Sequence, residues 1–307
     1  MKDIIFMGTP EFAVPSLEKL ILEGYNIKLV VTQPDRVQGR RRKIIYSPVK
    51  EFALKHNLKL IQPHNIKDSL NELYEVNADL IITAAYGQIL PKELLDNIKA
   101  INVHGSILPK YRGGAPIQYA LFDGLKKTGV TIMDMAFKMD SGDIILQEEI
   151  DILKTDNYET LSERLSHLGA MLLIDALKND YERIKQDEEL VTFAYTLKRE
   201  DEFLDVYNNN TEMLKNRLRG LLPEPAASIN INNITYKVYN IEKSDIIKEL
   251  KTGEIYITKR NLFIKTKEDI MEIKEIQAPG KKRLKIIDFL NGQNEINSGD
   301  FVTERNK

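Results

Sequence analysis

An α/β domain with a mostly parallel, Rossmann-like sheet, followed by a linker and a small OB-fold barrel, is the architecture this 307-residue sequence predicts. Three observations carry that expectation. In the first half, short runs rich in Ile, Val and Leu alternate with amphipathic segments, and near-continuous apolar strands separated by helices belong to a parallel sheet covered on both faces. In the final third the alternation stops, and strand-like runs follow one another with only short polar turns between them, the texture of a small antiparallel barrel. Between the two lies a charged stretch without periodicity. The boundaries read 1–184 for the first domain, 185–203 for the linker and 204–307 for the barrel.

The first strand is expected over 4–7, with Gly8 as a turn residue. A helix over 13–22 follows, and its Pro15 falls in the first turn, where no backbone donor is lost. Asp35, after a second strand over 28–32, has the place of a ribose-binding acid. One glycine stands where a pyrophosphate-binding G-x-G-x-x-G needs three, so a Rossmann-like fold without a dinucleotide is expected. Helices over 48–56 and in the charged stretch ending near Val76 separate the next strands, 79–84 and 100–103. A strand over 128–137, a turn at 138–143 and a strand at 144–146 come next. Asp156 and Glu159 have capping-box spacing, and Tyr158, Leu161, Leu165, Leu168 and Leu172 then recur at helical spacing, which makes a long scaffold helix. After a helix near 211–218, strands are expected over 226–231, 234–239, 254–258, 262–265 and 271–276.

Composition narrows the function classes. A net charge of −2 does not announce a nucleic-acid binder, so any polyanion must meet a local patch. The absence of Cys excludes disulfides, thiolate metal sites and Cys nucleophiles. The apolar run after Met1-Lys2-Asp3 is too short for a signal peptide and no stretch approaches a membrane span, so a cytoplasmic protein without membrane association is expected.

The chemistry concentrates in residues 101–118. Side chains two apart on a strand share a face, so Asn102 and His104 leave the 100–103 strand together while Ile101 and Val103 anchor the other side. An uncharged amide donor beside a titratable base suits acyl transfer, in which an oxygen gains negative charge and an attacking amine loses a proton. A lone histidine beside a strand end is more often structural. Here His104 is the one of four histidines at a strand-to-loop junction, on the rim where parallel sheets bind ligands. Asp140 and Asp143 are either turn-formers around Gly142 or, for Asp140, which precedes the turn, the carboxylate that orients His104. Residues 33–43 form a loop with five cations on the same rim, either solvated surface or a seat for an anionic partner. In 84–91, Tyr86 either stacks on a flat ring or closes over the core, and Ile89 and Leu90 line a slot for a planar heterocycle. Lys281-Lys282-Arg283 is either a nucleic-acid contact or a solvated turn.

Gly8-Thr9-Pro10-Glu11-Phe12, Gln33-Pro34-Asp35-Arg36, Ser47-Pro48-Val49-Lys50, Ala85-Tyr86-Gly87 with Ile89-Leu90-Pro91, Asn102-Val103-His104-Gly105-Ser106 through Pro116-Ile117-Gln118, and residues 128–133 with Asp140-Ser141-Gly142-Asp143 resemble the bacterial methionyl-tRNA formyltransferase family. The resemblance spans essentially the whole chain, including Arg199-Glu200-Asp201 and Pro279-Gly280-Lys281-Lys282. It implies formyl transfer from N10-formyltetrahydrofolate, the folate donor and co-substrate, to the amino group of initiator methionyl-tRNA; a monomer is expected, and no metal, since the sequence offers no ligand cluster for one. By the same resemblance Asn102 donates to the developing oxyanion, His104 assists proton removal or binds the oxyanion, and Asp140 orients His104. The backbone of Ser106, Ile107, Leu108 and Pro109 lines the folate slot, with Tyr86, Gly87, Ile89 and Leu90 beside it. Arg36, Arg40, Arg41, Arg42 and Lys43 form a basic insertion for the acceptor end of the tRNA, and Lys281, Lys282 and Arg283 add backbone contacts.

The sequence departs from the pattern at two places: many members carry Trp at the start of the second domain and in a Pro-Trp-Pro segment, where Val206 and Pro223-Glu224-Pro225 stand here. Related folate enzymes that formylate glycinamide ribonucleotide or a sugar nucleotide, or hydrolyse the folate, would not need both the arginine run and such a barrel. The intact Asn102, His104 and Asp140 speak against an inactive tRNA-binding relative. The missing glycines speak against a dinucleotide oxidoreductase.

Overall fold

β1 (Asp3–Gly8) runs through the interior of a seven-stranded sheet in the computed structural model, which describes residues 2–38, 43–292 and 295–303. Its Ile4, Ile5, Phe6 and Met7 are all fully buried. Consecutive buried residues require cover on both faces, and each such side chain contributes roughly 1.5–3 kcal/mol on burial. The chain divides into two units: Met1–Ile117, Lys127–Ile152 and Thr160–Thr196 form the first, and Gln118–Lys126, Leu153–Glu159 and Leu197–Lys307 the second.

In the first unit α1 (Val14–Leu22) begins with Pro15 in its first turn and leads to β2 (Asn26–Val31). A ribbon of β3 (Arg36–Gln38) and β4 (Lys43–Ile45) follows, then α2 (Pro48–Lys55), β5 (Leu60–Ile61), α3 (Leu70–Glu75) and β6 (Leu80–Ala84). Ser47 caps α2 by accepting the Lys50 N–H at 3.1 Å. After α4 (Lys92–Asn97) come β7 (Ala100–His104), α5 (Pro116–Phe122), which from Gln118 onward belongs to the second unit, then β8 (Lys127–Asp134), β9 (Ile144–Asp151) and α6 (Tyr158–Lys178). The strand order is β5-β2-β1-β6-β7-β8-β9. The first five strands are parallel, so β1, β2, β6 and β7 open their carboxyl ends on one rim, while β8 and β9 are antiparallel additions.

Two segments are more ordered than their composition suggests. The basic stretch expected as a loop is a two-stranded ribbon in which Arg36 faces Ile45 and Val37 faces Ile44. β-branched residues at facing positions favour extension even where charges dominate the composition. Residues 182–196, charged and without periodicity, run along the first unit: Ile184 exchanges backbone hydrogen bonds with Ile144, and Arg112 with Thr192 and Ala194. Main-chain pairing depends on no side-chain pattern, so periodicity did not reveal it.

Past residue 197 the second unit continues with α7 (Thr211–Leu221), capped by Asn210 on the Met213 N–H. Strands β10 (Ala227–Ile231), β11 (Ile234–Ser244), β12 (Ile255–Ile257), β13 (Leu262–Lys265), β14 (Ile270–Gln277) and β15 (Leu284–Lys285) follow, then α8 (Ile286–Gly292) and β16 (Val302–Thr303). The sheet order is β12-β13-β14-β11-β10-β16, with β15 on β14. Val302 donates to the Gly253 carbonyl and Ile255 to the Asp300 carbonyl, which ties the last strand to the chain entering β12 and closes the small barrel. Val206 is fully buried in the core of this unit with Leu214, Ile229 and Tyr236.

Candidate active site

β7 places its polar residues by alternation. Val103 points at α6, where a side chain on Gly169 would come within 2.7 Å of it, and Asn102 and His104 leave the opposite face. Asn102 lies opposite Thr83 of β6 and accepts its hydroxyl hydrogen on Oδ1 at 2.7 Å. With Oδ1 engaged by Thr83, the Nδ2 edge of Asn102 is its donor side.

His104 is 5 % exposed. Its Nε2 is 3.0 Å from the Tyr111 carbonyl oxygen. A carbonyl only accepts, so Nε2 carries a hydrogen and Nδ1 is the nitrogen that takes up a proton. Nδ1 lies 3.8 Å from Asp140 Oδ2, beyond direct hydrogen bonding and close enough for strong Coulomb attraction once the ring is charged. The same carboxylate oxygen accepts the Gly113 N–H at 2.8 Å. Asp140 itself adopts φ +48°, uncommon for a residue with a side chain, in the turn between β8 and β9. Asp143 closes that turn through its backbone, accepting the Asp134 N–H at 2.9 Å. The chain thus brings Asn102, His104 and Asp140 to one place, from β7 and from a turn 36 positions beyond His104.

The segment after β7 is held from below by residues that sequence reasoning did not single out. Thr131, opposite His104 in the ladder, donates to the Ser106 carbonyl at 2.7 Å and accepts the Leu108 N–H at 3.1 Å. Gln147 donates to the Leu108 carbonyl at 2.9 Å. Ser106 turns its hydroxyl to the Lys110 carbonyl. The Ser106 carbonyl and both backbone polar groups of Leu108, expected to line the folate slot, are therefore engaged within the protein. Ile107 and Pro109 are the partly exposed members, while Leu108 is buried with Met133 and Ile144.

Across the rim, Tyr86 is a core residue: its ring packs with Ile5, Met7, Leu90 and Leu94, and burial pushes its hydroxyl pKa up. Stacking of this ring on a ligand is thereby replaced by the alternative, closure over the core. Its carbonyl accepts from Thr9 at 2.9 Å and from Gln33 at 3.2 Å, which fixes the 84–91 loop against β1 and β2. Gly87 takes φ +88° in that loop, Leu90 is buried, and Ile89 stays exposed on its outer side. Asp35 pairs with Lys50 at 2.6 Å, and hydrogen bonds from Gln62 and Lys50 hold its carboxyl below the usual range. This Asp serves the loop base.

Arg36 is exposed, and the backbone of Lys43 pairs with Gln38. Arg40, Arg41 and Arg42 lie outside the described residues. In the second unit Lys281 and Lys282 are exposed, whereas Arg283 pairs with Glu275 and lies 4.5 Å from the Tyr239 ring centroid.

Arg112 is a further residue that its local sequence hides. It is fully buried, donates from Nε to Gln186 at 3.0 Å and from Nη2 to Glu188 at 2.8 Å, partners 74 and 76 positions away. Arg112 and Lys138 hold the Glu188 carboxyl down at about 2.

Comparison with known proteins agrees with this fold. Residues 1–177 match the formyl transferase family model and residues 196–294 the model of the formyl transferase C-terminal domain. A methionyl-tRNA formyltransferase of Lactobacillus acidophilus is 45% identical over 312 residues, covering 99% of this chain and 98% of the relative. Among solved structures, the fold is shared with a methionyl-tRNA formyltransferase from Clostridium thermocellum (TM-score 0.55, 19% identity, 80% of this chain and 95% of that one). It is shared too with HypX from Aquifex aeolicus in complex with tetrahydrofolic acid (TM-score 0.60, 16% identity, 99% of this chain and 51% of that one). Similarity that runs through both domain types and nearly every residue means that the chain belongs to the methionyl-tRNA formyltransferases, within the formyl transferase family.

Proposed function

We propose that this protein moves the formyl group of N10-formyltetrahydrofolate to the α-amino group of methionine esterified to initiator tRNA, through Asn102, His104 and Asp140. The observation that carries the assignment of roles is the imidazole of His104, held by the Tyr111 carbonyl on one nitrogen and facing the Asp140 carboxylate with the other.

The amine nitrogen attacks the formyl carbon and the new C–N bond forms as the C=O electron pair moves onto oxygen; collapse of this tetrahedral intermediate breaks the bond to the folate nitrogen, which finally gains the proton lost by the amine. Asn102 Nδ2 donates to the formyl oxygen as charge develops there. His104 Nδ1 takes the amine proton and Asp140 stabilises the resulting imidazolium. Ile107, Pro109 and Ile89 offer apolar surface on the rim for the folate ring. Arg36 and the run Arg40 to Arg42 meet the phosphates of the tRNA acceptor end, and Lys281 and Lys282 add contacts from the second unit. The protein acts as a cytoplasmic monomer.

The test is incubation with the formyl-folate donor and charged initiator tRNA, with uncharged and elongator tRNA as controls. Formylation confined to the charged initiator is expected. Formylation of a glycinamide or sugar-nucleotide amine instead would overturn the substrate assignment. Asn102→Ala, His104→Ala and Asp140→Ala should each lower the rate by about a hundredfold or more, since loss of one oxyanion donor alone has that effect.

A further inference from the structure

We infer that Gln186, oriented by the buried Arg112, is the positioning residue that holds Asp140 against His104, a role that rests on the assignment of Asp140 above. One side-chain amide spans both arms of the turn that carries Asp140. Gln186 Nε2 donates to the Asp140 carbonyl and to the Gly142 carbonyl, 2.8 Å each, which uses both of its hydrogens. Its Oε1 accepts Arg112 Nε–H at 3.0 Å. Arg112 can only donate, so it fixes which end of the amide is oxygen and turns the nitrogen toward the two carbonyls.

Arg112 is itself placed by the segment at Thr192 and Ala194. Its backbone N–H donates to the Thr192 carbonyl and its carbonyl accepts from Ala194, and the next residue, Gly113, donates to the Asp140 carboxylate. The chain Arg112–Gln186–Asp140 therefore closes on itself: Gly113 holds the carboxylate and Gln186 holds the backbone from which it projects. Asp140 needs both, because a non-glycine residue at φ +48° persists only where its surroundings over-determine it. Glu188 anchors the far end, taking Arg112 on one oxygen and Lys138 on the other at 2.8 Å each. Among the described residues the hydrogen bonds of Gln186 run to Arg112, Asp140 and Gly142, and it acts through Asp140.

Gln186→Glu isolates the effect. A carboxylate there still accepts from Arg112 but presents an oxygen, with no hydrogen, to the two carbonyls. Steady-state formylation with the charged initiator tRNA should show kcat lowered by about tenfold to a hundredfold, the scale on which a displacement of a catalytic group reduces rate. KM for both substrates should stay within about twofold. In an Asp140→Ala background the same substitution should have no further effect, because the group it positions is gone. Gln186→Ala, which deletes the clamp without adding charge, should repeat the pattern. The inference is overturned if Gln186→Glu keeps the wild-type kcat while Asp140→Ala is inactive, if the two losses multiply, or if the lost activity equals the fraction unfolded in a thermal melt. A near-wild-type rate for Asp140→Ala would instead reject the assignment of Asp140 itself.

Discussion

Thr83 donates its hydroxyl hydrogen to Asn102 Oδ1 across 2.7 Å, from one parallel strand to the next. The contact decides which edge of the amide faces the open rim, because an acceptor engaged in the sheet leaves the donor outside.

Thr83→Val keeps the β-branched shape and removes the hydroxyl, so Asn102 is free to turn. A kcat lowered by about tenfold with little change in either KM is expected from steady-state kinetics, and Thr83→Ser should restore most of it. An unchanged kcat for Thr83→Val would show that Asn102 is oriented by something else.

Gly113 takes φ +126°, and a Cβ there would stand 2.4 Å from the Ala194 carbonyl oxygen. Gly113→Ala must therefore shift the loop and withdraw its N–H from Asp140. Destabilisation of about 1–3 kcal/mol is expected from the backbone strain alone, read by denaturant unfolding. Formylation should fall more than the unfolded fraction explains.

Acid should weaken the anchor of the Arg112 network in a defined window. The Glu188 carboxyl is held at about 2 in the folded chain against 4.5 as its ordinary value, first by its hydrogen bond with Arg112 and then by that with Lys138. A depressed carboxylate contributes stability that is complete above its unfolded value and is lost as pH falls toward its folded one. The stability difference between wild type and Glu188→Gln should be constant above about pH 5 and shrink between about pH 5 and 2. A difference that does not change with pH would exclude the ionic contribution.

The arginine run has a signature in salt. Arg40→Ala, Arg41→Ala and Arg42→Ala together should weaken tRNA use and reduce the slope of log affinity against log salt by about 2 to 3, near one unit for each phosphate that is no longer neutralised. Folate affinity should be unchanged. Equal loss of folate affinity would place the run at the donor site.

How much was legible in the chain depends on the range over which each signal acts. Asn102 and His104 could be paired from sequence because alternation along one strand is a local rule. Asp140 and Asp143 could not be told apart as turn-formers by local signal alone, and it is the folded turn that puts Asp140 3.8 Å from His104. Tyr86 could not be read: the same Tyr-Gly loop serves a core ring or an exposed one, and only packing with Ile5 and Leu94 decides. Thr131, inside a buried apolar run, gives no local sign that it carries Ser106 and Leu108.

The sequence alone determined the alternation that makes the parallel sheet, the closely spaced strands that make the barrel, and the strand outlet that presents an amide and an imidazole. These follow from side-chain patterns a few residues long. The tertiary structure decided which backbone groups near the site are engaged and how Asp140 is held. Arg112, Gln186 and Thr192 meet there through hydrogen bonds across more than seventy positions, and such contacts depend on where the folded chain passes rather than on any pattern along it.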